Sequence, residues 1–498
     1  MTVLAHRADT LTQDALAVLQ PGFEGTTAPA WLLRQVSQGL TAVGLFGRNI
    51  TSPAQLAALT AQLRAERDDV LVAIDEEGGD VTRLEVREGS SFPGNLALGA
   101  VDDTALTRDV AHELGRRLAE CGVNLNWAPS ADVNSNPDNP VIGVRSFGAD
   151  TLLAARHTAA YVDGLQAAGV AACTKHFPGH GDTNVDSHHA LPRIDADLDT
   201  LYARELVPFR AAIAAGTKAV MSAHILVPSL DPTRPATLSP RILTGLLRKE
   251  LGFEGLVVTD GMEMNAIAGT YGIERGSVLA IAAGADAICV GGGLADEATV
   301  LRLRDALVDA VREGTLPEER LADAAARVRA LADWTRRSRA AGLPGAPQEG
   351  SAPGTGIGLT AARRALSVTG GPVTVTRPYV ATLSPVANIA VGDETPWGVA
   401  GELAALVPDT EAATYAEGVD PAEILAAAGD RTVVAVVRDA HRHAWMTAAV
   451  AALVAARPDT VVVEMGLPRA EPAGAVYVAT YGASRACGRA AAEALAGR

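Results

Sequence analysis

Residues Val170–Pro192 read VAACTKHFPGHGDTNVDSHHALP, and the fold turns on how that stretch begins. Val170–Lys175 has the composition of a buried strand, and it runs directly into Lys175 and His176 rather than into a simple turn. The same form recurs outward in both directions. Strands are predicted at Ala42–Phe46, Val70–Ile74, Val123–Asn126, Ala219–Ala223, Leu256–Thr259 and Ala287–Val290. Helical patterns lie between them, among them Ala105–Cys121, Ala154–Ala168, Thr200–Ala215 and Ser239–Glu250. Strands alternating with helices imply a parallel sheet. Seven strands over about 340 residues predict a TIM-like (β/α)8 barrel with one strand missed or atypical. Strand after strand ends on a chemically capable group: Asp75, Asn126, Lys175 and His176, His224, Asp260. In a parallel barrel those are the C-terminal ends, the face on which barrel enzymes build their sites.

Beyond the barrel, Ser338–Gly358 reads SRAAGLPGAPQEGSAPGTGIG, a composition break dense in Gly, Pro and Ala. It divides the chain into a catalytic barrel at 1–340, a linker at 341–358 and a C-terminal domain at 359–498. Apolar runs at Tyr379–Leu383, Ile389–Val391, Thr432–Val437, Thr460–Val463 and Val476–Ala479 predict a smaller α/β sandwich with a mostly parallel sheet. Its one polar cluster, DAHRHAW at Asp439–Trp445, reads as a solvated helix start. The 498 residues carry 42 Lys+Arg against 58 Asp+Glu, a net charge of −16. That balance argues against a nucleic-acid partner, and no basic run suggests a membrane surface. Aromatics are 4% of residues, so small aliphatic side chains must fill the core. Cys121, Cys173, Cys289 and Cys487 are scattered, which fits reduced thiols in the cytoplasm. The start, MTVLAHRADTLTQDALAVLQ, lacks a signal-peptide pattern, and the smoothest apolar stretch, Gly276–Ala295, is interrupted by Asp286. A soluble protein is expected.

The densest chemistry lies in Lys175–Pro192, which holds four histidines, two aspartates and a lysine in 18 positions. Pro178, Gly179 and Gly181 exclude a helix there. Three readings are open on the residues alone. One is a polar surface loop. Another is a metal site, although the His-x-x-x-His spacing on a loop does not put two rings on one helical face. The third is proton chemistry, with the Asp186 carboxylate orienting the His188 imidazole, whose neutral-range titration suits a general acid and base.

This segment resembles the signature loop of glycoside hydrolase family 3, in its β-N-acetylglucosaminidase branch. AIDEEGGDVTRL (Ala73–Leu84), NLNWAPSADVNSNPDNPVIGVRSFG (Asn124–Gly148), MSAHILVP (Met221–Pro228) and VVTDGMEMNAI (Val257–Ile267) carry the likeness along roughly residues 10–335. The resemblance implies a retaining glycosidase with Asp260 as nucleophile. His188 would be the general acid and base, and Asp186 its partner. The usual arrangement instead pairs two carboxyl groups about 5–5.5 Å apart. The family match also implies that Lys175 and His176 bind sugar hydroxyls, that Asp75 accepts from two of them, that Arg83 and Arg145 donate at the rim, and that His180 lies near the sugar. No metal or organic cofactor is implied, and the partner is a small oligosaccharide from cell-wall muropeptides or chitin. The alternatives are a phosphorylase that uses phosphate in place of water, and a metal-dependent hydrolase.

Each of these residues has a structural alternative. Arg83 could pin its loop through Glu76 or Glu77, and Arg145 could pair with Asp132 or Asp150. Asn126 and Asp132 are expected to satisfy backbone groups, His224 to be buried and bonded, and Met262 and Met264 to pack in the core. Glu263 is a rival acid kept ionised by a helix start. One departure stands out: Asp80 occupies a position where the family commonly has a basic residue, and is expected at the outer rim.

Overall fold

The computed structural model describes residues 2–186, 191–342, 356–371, 373–386, 391–392 and 394–498, without the side chains of the first nine positions. The chain forms two compact units. The first comprises Met1–Glu76, Thr107–Pro140 and Ala149–Ala346, and the second comprises Glu77–Leu106, Val141–Gly148 and Pro347–Arg498.

The first unit is built on eight parallel strands in sequence order: β1 (Leu19–Pro21), β2 (Ala42–Leu45), β3 (Leu71–Ile74), β4 (Leu125–Asn126), β5 (Ala171–Phe177), β6 (Ala219–Ser222), β7 (Leu256–Thr259) and β8 (Ile288–Val290). β2 through β7 form one six-stranded sheet, and β8 pairs with β1. A bridge between Val258 and Ala287 carries the pairing from β7 to β8. This is the TIM-like α/β arrangement, and the strand missing from the sequence reading is β1. Leu-Gln-Pro lacks any strand signature, and its proline is tolerated at the end of a short strand because the next amide, Gly22, donates to the Val290 carbonyl at 2.7 Å. Inside the curl, alternate strand residues contribute Ala42, Leu71, Ala73, Leu125, Trp127, Ala171, Cys173, Ala219, Met221, Leu256 and Val258. Five of these eleven are Ala or Cys, and Trp127 is the one aromatic among them. Helices run at Thr104–Glu120 and Thr151–Ala167, the second capped by Asp150, which accepts from the Leu153 amide at 2.6 Å. Arg241–Glu250 is π-helical where an α-helix was predicted.

The second unit contains β9 (Ser367–Thr369), β10 (Pro378–Leu383), β11 (Glu411–Tyr415), β12 (Thr432–Val437), β13 (Val461–Glu464) and β14 (Val476–Ala479), in the sheet order β11-β10-β12-β13-β14-β9. All pairs are parallel except β14–β9. Val434, Val436, Val463 and Val478 face one layer of helices with Ala491 and Leu495. Val433, Ala435, Val437 and Val462 face another with Met446 and Leu453. Burial on both faces explains why these strands read as unbroken apolar runs. Edge strands β9 and β11 were not predicted, because their side chains are largely exposed. Residues 389–390 of the predicted run Ile389–Val391 lie outside the described residues.

Two segments that leave the barrel strands belong to this second unit, and Asp80 shows how they are held. It is buried rather than at a rim. Arg438 donates to it at 2.5 Å, and the Ala483 amide donates at 2.7 Å. Burial pushes the Asp80 carboxyl above its ordinary range, against the pull of Arg438. Nearby, Leu96 and Val144 pack with Leu467.

Candidate active site

Three strand ends of the first unit carry residues expected to form a site. Asp75 directly follows β3, Lys175 and His176 lie within β5, and Asp260 directly follows β7. Lys175 is 2% exposed, and its Nζ sits 2.5 Å from Asp75 Oδ1. An ammonium that deeply buried needs a carboxylate partner. The partner is itself only partly buried, so Asp75 is held from behind and left open on its other side.

Beside this pair the exit of β4 runs on along β5. The Ala131 amide donates to the Lys175 carbonyl at 2.6 Å, and the Lys175 amide donates to the Pro129 carbonyl at 3.0 Å. That register sets Asp132 against His176, whose Nδ1 is 2.7 Å from Asp132 Oδ2. The same carboxylate accepts from the His176 and His180 amides at 3.2 and 2.7 Å and from Ser130 Oγ at 2.8 Å. Burial alone would raise the Asp132 carboxyl. The charge and hydrogen bond of His176, with the other donors, overcome burial and hold it far below the usual carboxylate range. An ionised Asp132 can only accept, so the His176 proton is on Nδ1. Sequence reasoning assigned Asp132 to backbone groups alone. It does accept two amides, but it is also the residue that orients His176. The available signal was its place six residues after Asn126 in SADVNSNP, at a strand exit.

His180 is buried in the same group, its Nδ1 3.1 Å from Thr183 Oγ1 and its ring edge-on to His176. Burial, reinforced by His176 and opposed by Asp132, lowers His180 to about 4, so the ring is neutral near pH 7.

Asp260 is half-buried at the end of β7, and its Oδ1 accepts from the Gly261 amide at 2.8 Å. Burial drives up the thiols of Cys173 and Cys289, against Lys175 in the first case and reinforced by Glu263 in the second, with Asp75 and Asp260 adding to both. Asp75 and Asp260 directly follow strands of one parallel sheet, so the two carboxylates stand at the same end of it. His224 Nε2 bonds the Gly261 carbonyl at 2.9 Å and its Nδ1 bonds Thr237 Oγ1 at 2.8 Å, the buried, bonded role expected for it. Glu263 is not at a helix start, since the next helix begins at Asn265. Its Oε1 instead accepts the Gly291 and Gly292 amides at the exit of β8. Met262 and Met264 are buried, as expected. Asn126 exchanges hydrogen bonds with the Glu76 amide and carbonyl at 3.0 and 2.7 Å.

Asp186 is half-buried, and His188 lies outside the described residues. Arg83 and Arg145 belong to the second unit. Arg145 Nη2 and Nε grip Glu77 at 2.7 and 3.1 Å in a buried fork, and both segments fold into the same unit. The Arg83 guanidinium contacts the Thr82 carbonyl at 3.3 Å. Among the described residues no set of three or more His, Cys, Asp or Glu side chains is grouped as metal ligands. No helix among them is long and apolar enough to cross a membrane.

Residues 27–331 match the glycosyl hydrolase family 3 N-terminal domain. The chain is 37% identical over 332 residues to Beta-hexosaminidase A of Pseudoalteromonas piscicida, covering 61% of this chain and 55% of that protein, so it spans about half that relative's length. It is 38% identical over 281 residues to a Beta-hexosaminidase of Stenotrophomonas maltophilia, covering 54% of this chain and 82% of the relative. Among solved structures, a glycoside hydrolase family 3 beta-N-acetylglucosaminidase from Paenibacillus sp. str. FPU-7 is similar with a TM-score of 0.88 and 36% identity, over 98% of this chain and 96% of that one. NagZ from Neisseria gonorrhoeae in complex with N-trifluoroacetyl-D-glucosamine is similar with a TM-score of 0.56 and 29% identity, over 70% of this chain and 96% of its own.

Proposed function

This chain belongs to glycosyl hydrolase family 3, and from that premise we propose that it is a retaining exo-β-N-acetylglucosaminidase that removes terminal N-acetylglucosamine from muropeptide or chitin-type oligosaccharides. The observation that carries the reading is the 36% identity to a beta-N-acetylglucosaminidase over 98% of the chain. The site supports it.

Asp260 is the nucleophile. It attacks the anomeric carbon as the glycosidic bond breaks, and the sugar becomes an ester of its carboxylate. His188 gives a proton to the departing oxygen and then takes one from the water that cleaves the ester, with Asp186 holding its ring in the required tautomer. Asp75, braced by Lys175, accepts hydrogen bonds from neighbouring sugar hydroxyls, and His176 presents its Nε2 edge while Asp132 holds its Nδ1. The reading needs no metal or organic cofactor. All four cysteines are free thiols, which suits a cytoplasmic setting.

The test is turnover of aryl β-N-acetylglucosaminides beside the matching β-glucosides, with and without phosphate. The acetamido sugar should be strongly preferred and released as free sugar. Asp260→Asn should lose at least about 10³-fold in turnover. His188→Ala should lose about 10²-fold or more in kcat/KM on poor leaving groups and much less on activated ones. Glucoside preference would overturn the substrate, a sugar phosphate product would move the reaction to phosphorolysis, and an active Asp260→Asn would overturn the nucleophile.

A further inference from the structure

The turn that follows β7 is tied to the strands on both sides of it. On the β6 side, the Asp260 amide donates to the Ser222 carbonyl at 3.2 Å, and His224 Nε2 donates to the Gly261 carbonyl at 2.9 Å. On the β8 side, the Met262 amide donates to the Cys289 carbonyl at 3.0 Å. Glu263 adds a side-chain tie on that same side. Its Oε1 accepts both the Gly291 amide, at 2.9 Å, and the Gly292 amide. Its Oε2 is buried with no hydrogen-bond partner among the described residues. A carboxylate oxygen left in that state is costly. Glu263 is kept there all the same, with its hold resting on Oε1.

The loop that Glu263 grips is itself anchored. Arg48, on the short 3-10 helix Gly47–Asn49 after β2, takes the carbonyls of the same two glycines: Nη1 donates to Gly292 at 3.1 Å, and Nη2 donates to Gly291. The guanidinium is fixed in turn by the Phe23 carbonyl, 3.1 Å from Nε, and by the Phe46 ring, whose centroid is 4.7 Å away. Gly291 holds φ +148°, and a Cβ there would fall 2.2 Å from the Gly22 nitrogen, so only glycine lets the exits of β1 and β8 come this close. The exit of β8 is thus clamped by its carbonyls to Arg48 and by its amides to Glu263. Glu263 lies three positions after Asp260, and the Met264 amide closes the turn between them on the Gly261 carbonyl at 3.0 Å. A fixed pair of amides therefore reaches Asp260 through a short, bonded stretch of backbone.

We propose that Glu263 is a positioning residue for the nucleophile: by accepting the Gly291 and Gly292 amides, it ties the turn after β7 to the exit of β8 and fixes where the Asp260 carboxylate stands. This rests on the assignment of Asp260 above. Glu263 acts through the turn and does not bind the sugar.

The experiment measures kcat/KM on aryl N-acetyl-β-glucosaminides from 2,4-dinitrophenyl to unsubstituted phenyl, together with the inhibition constant of free N-acetylglucosamine. Glu263→Ala removes the tie, and Glu263→Gln keeps an acceptor for both amides. Gly292→Ala shifts the tie without removing the carboxylate: a Cβ at that exposed position would fall 2.8 Å from Glu263 Oε1, the far end of a side chain that can swing away. Gly293→Ala is the control, since a Cβ there meets nothing within 4 Å. A displaced nucleophile should cost about 10²-fold in kcat/KM, as small misplacements do, and the loss should appear for every leaving group. The inhibition constant should keep its wild-type value. Glu263→Gln should recover most of the loss, and Gly293→Ala should match wild type. If Glu263→Ala does not fold, Gly292→Ala decides alone. Wild-type kcat/KM in Gly292→Ala and Glu263→Ala, a Gln variant as slow as the Ala one, or an inhibition constant that rises as kcat/KM falls would overturn the proposal. So would a loss confined to the phenyl substrate, which marks a displaced acid instead. Failure of the underlying assignment is read separately: Asp260→Asn with wild-type turnover overturns it whatever Glu263 does.

Discussion

Asp132 shows how much one side chain can carry in a site of this kind. Its two oxygens serve the His176 ring, two amides and a serine hydroxyl. Asp132→Ala would strand those donors in the core and should cost about 1–3 kcal/mol of stability, together with a loss in kcat/KM, since His176 would no longer be held. The pH dependence follows from the direction of its shift. The folded-state pKa lies below the unfolded value of about 3.9, so Asp132 contributes stability above that pH. The contribution drains away as pH falls below about 5. Urea midpoints of wild type should therefore drop between pH 5 and 3 more steeply than those of Asp132→Asn. Equal slopes would remove Asp132 from the acid-labile groups. In sequence terms, the places of Lys175, His176 and Asp260 at strand ends were legible because the apolar runs before them are local patterns. Asp132 was visible only as one polar residue among many, since its pairing depends on β4 and β5 lying side by side.

Elements give a second kind of evidence. Trp127 is the largest side chain inside the barrel, and Gly44 on β2 makes room for it. A Cβ on Gly44 would meet Trp127 Cη2 at 2.9 Å, and the indole is nearly wholly buried and cannot yield. Gly44→Ala should therefore lower stability by about 1–3 kcal/mol through overpacking, read as a lower melting temperature with secondary structure retained. An unchanged melting temperature would mean that the indole repacks. Seven of the eight barrel strands fall on predicted runs to within two residues at each end. Periodicity sufficed there because each is buried on both faces. β1 escaped because three residues ending in proline hold too little pattern. The same limit hid β9 and β11, whose edge positions leave their side chains wet.

At the scale of the whole molecule, the division of the chain is not the linear one. Glu77–Leu106 and Val141–Gly148 sit among barrel elements in sequence but fold into the second unit. Within that unit Asp80 is neutralised by Arg438, Glu85 by Arg485 at 3.2 Å, and Leu96 and Val144 pack with Leu467. A chain ended after residue 342 should leave a buried acid without its cation and an apolar patch without its cover. The expected outcome is aggregation, or a melting temperature well below that of the full chain, by size-exclusion chromatography and thermal unfolding. Arg438→Ala tests the same point in the intact protein. Leaving Asp80 buried and unpaired should cost about 3–5 kcal/mol. A truncated chain that is monomeric and as stable as the full one would show that these segments do not need the second unit.

The sequence by itself determined the α/β barrel, the second α/β unit, and the residues that end the barrel strands, because apolar periodicity and the identity of a strand's last residue are local properties. Tertiary structure alone decided which partner each buried group meets: Asp132 for His176, Glu77 for Arg145, and Arg438 for Asp80. Each of those pairs joins residues more than 40 positions apart along the chain. Burial makes a charge seek whichever opposite charge the packing brings within about 3 Å, and no local pattern encodes that choice.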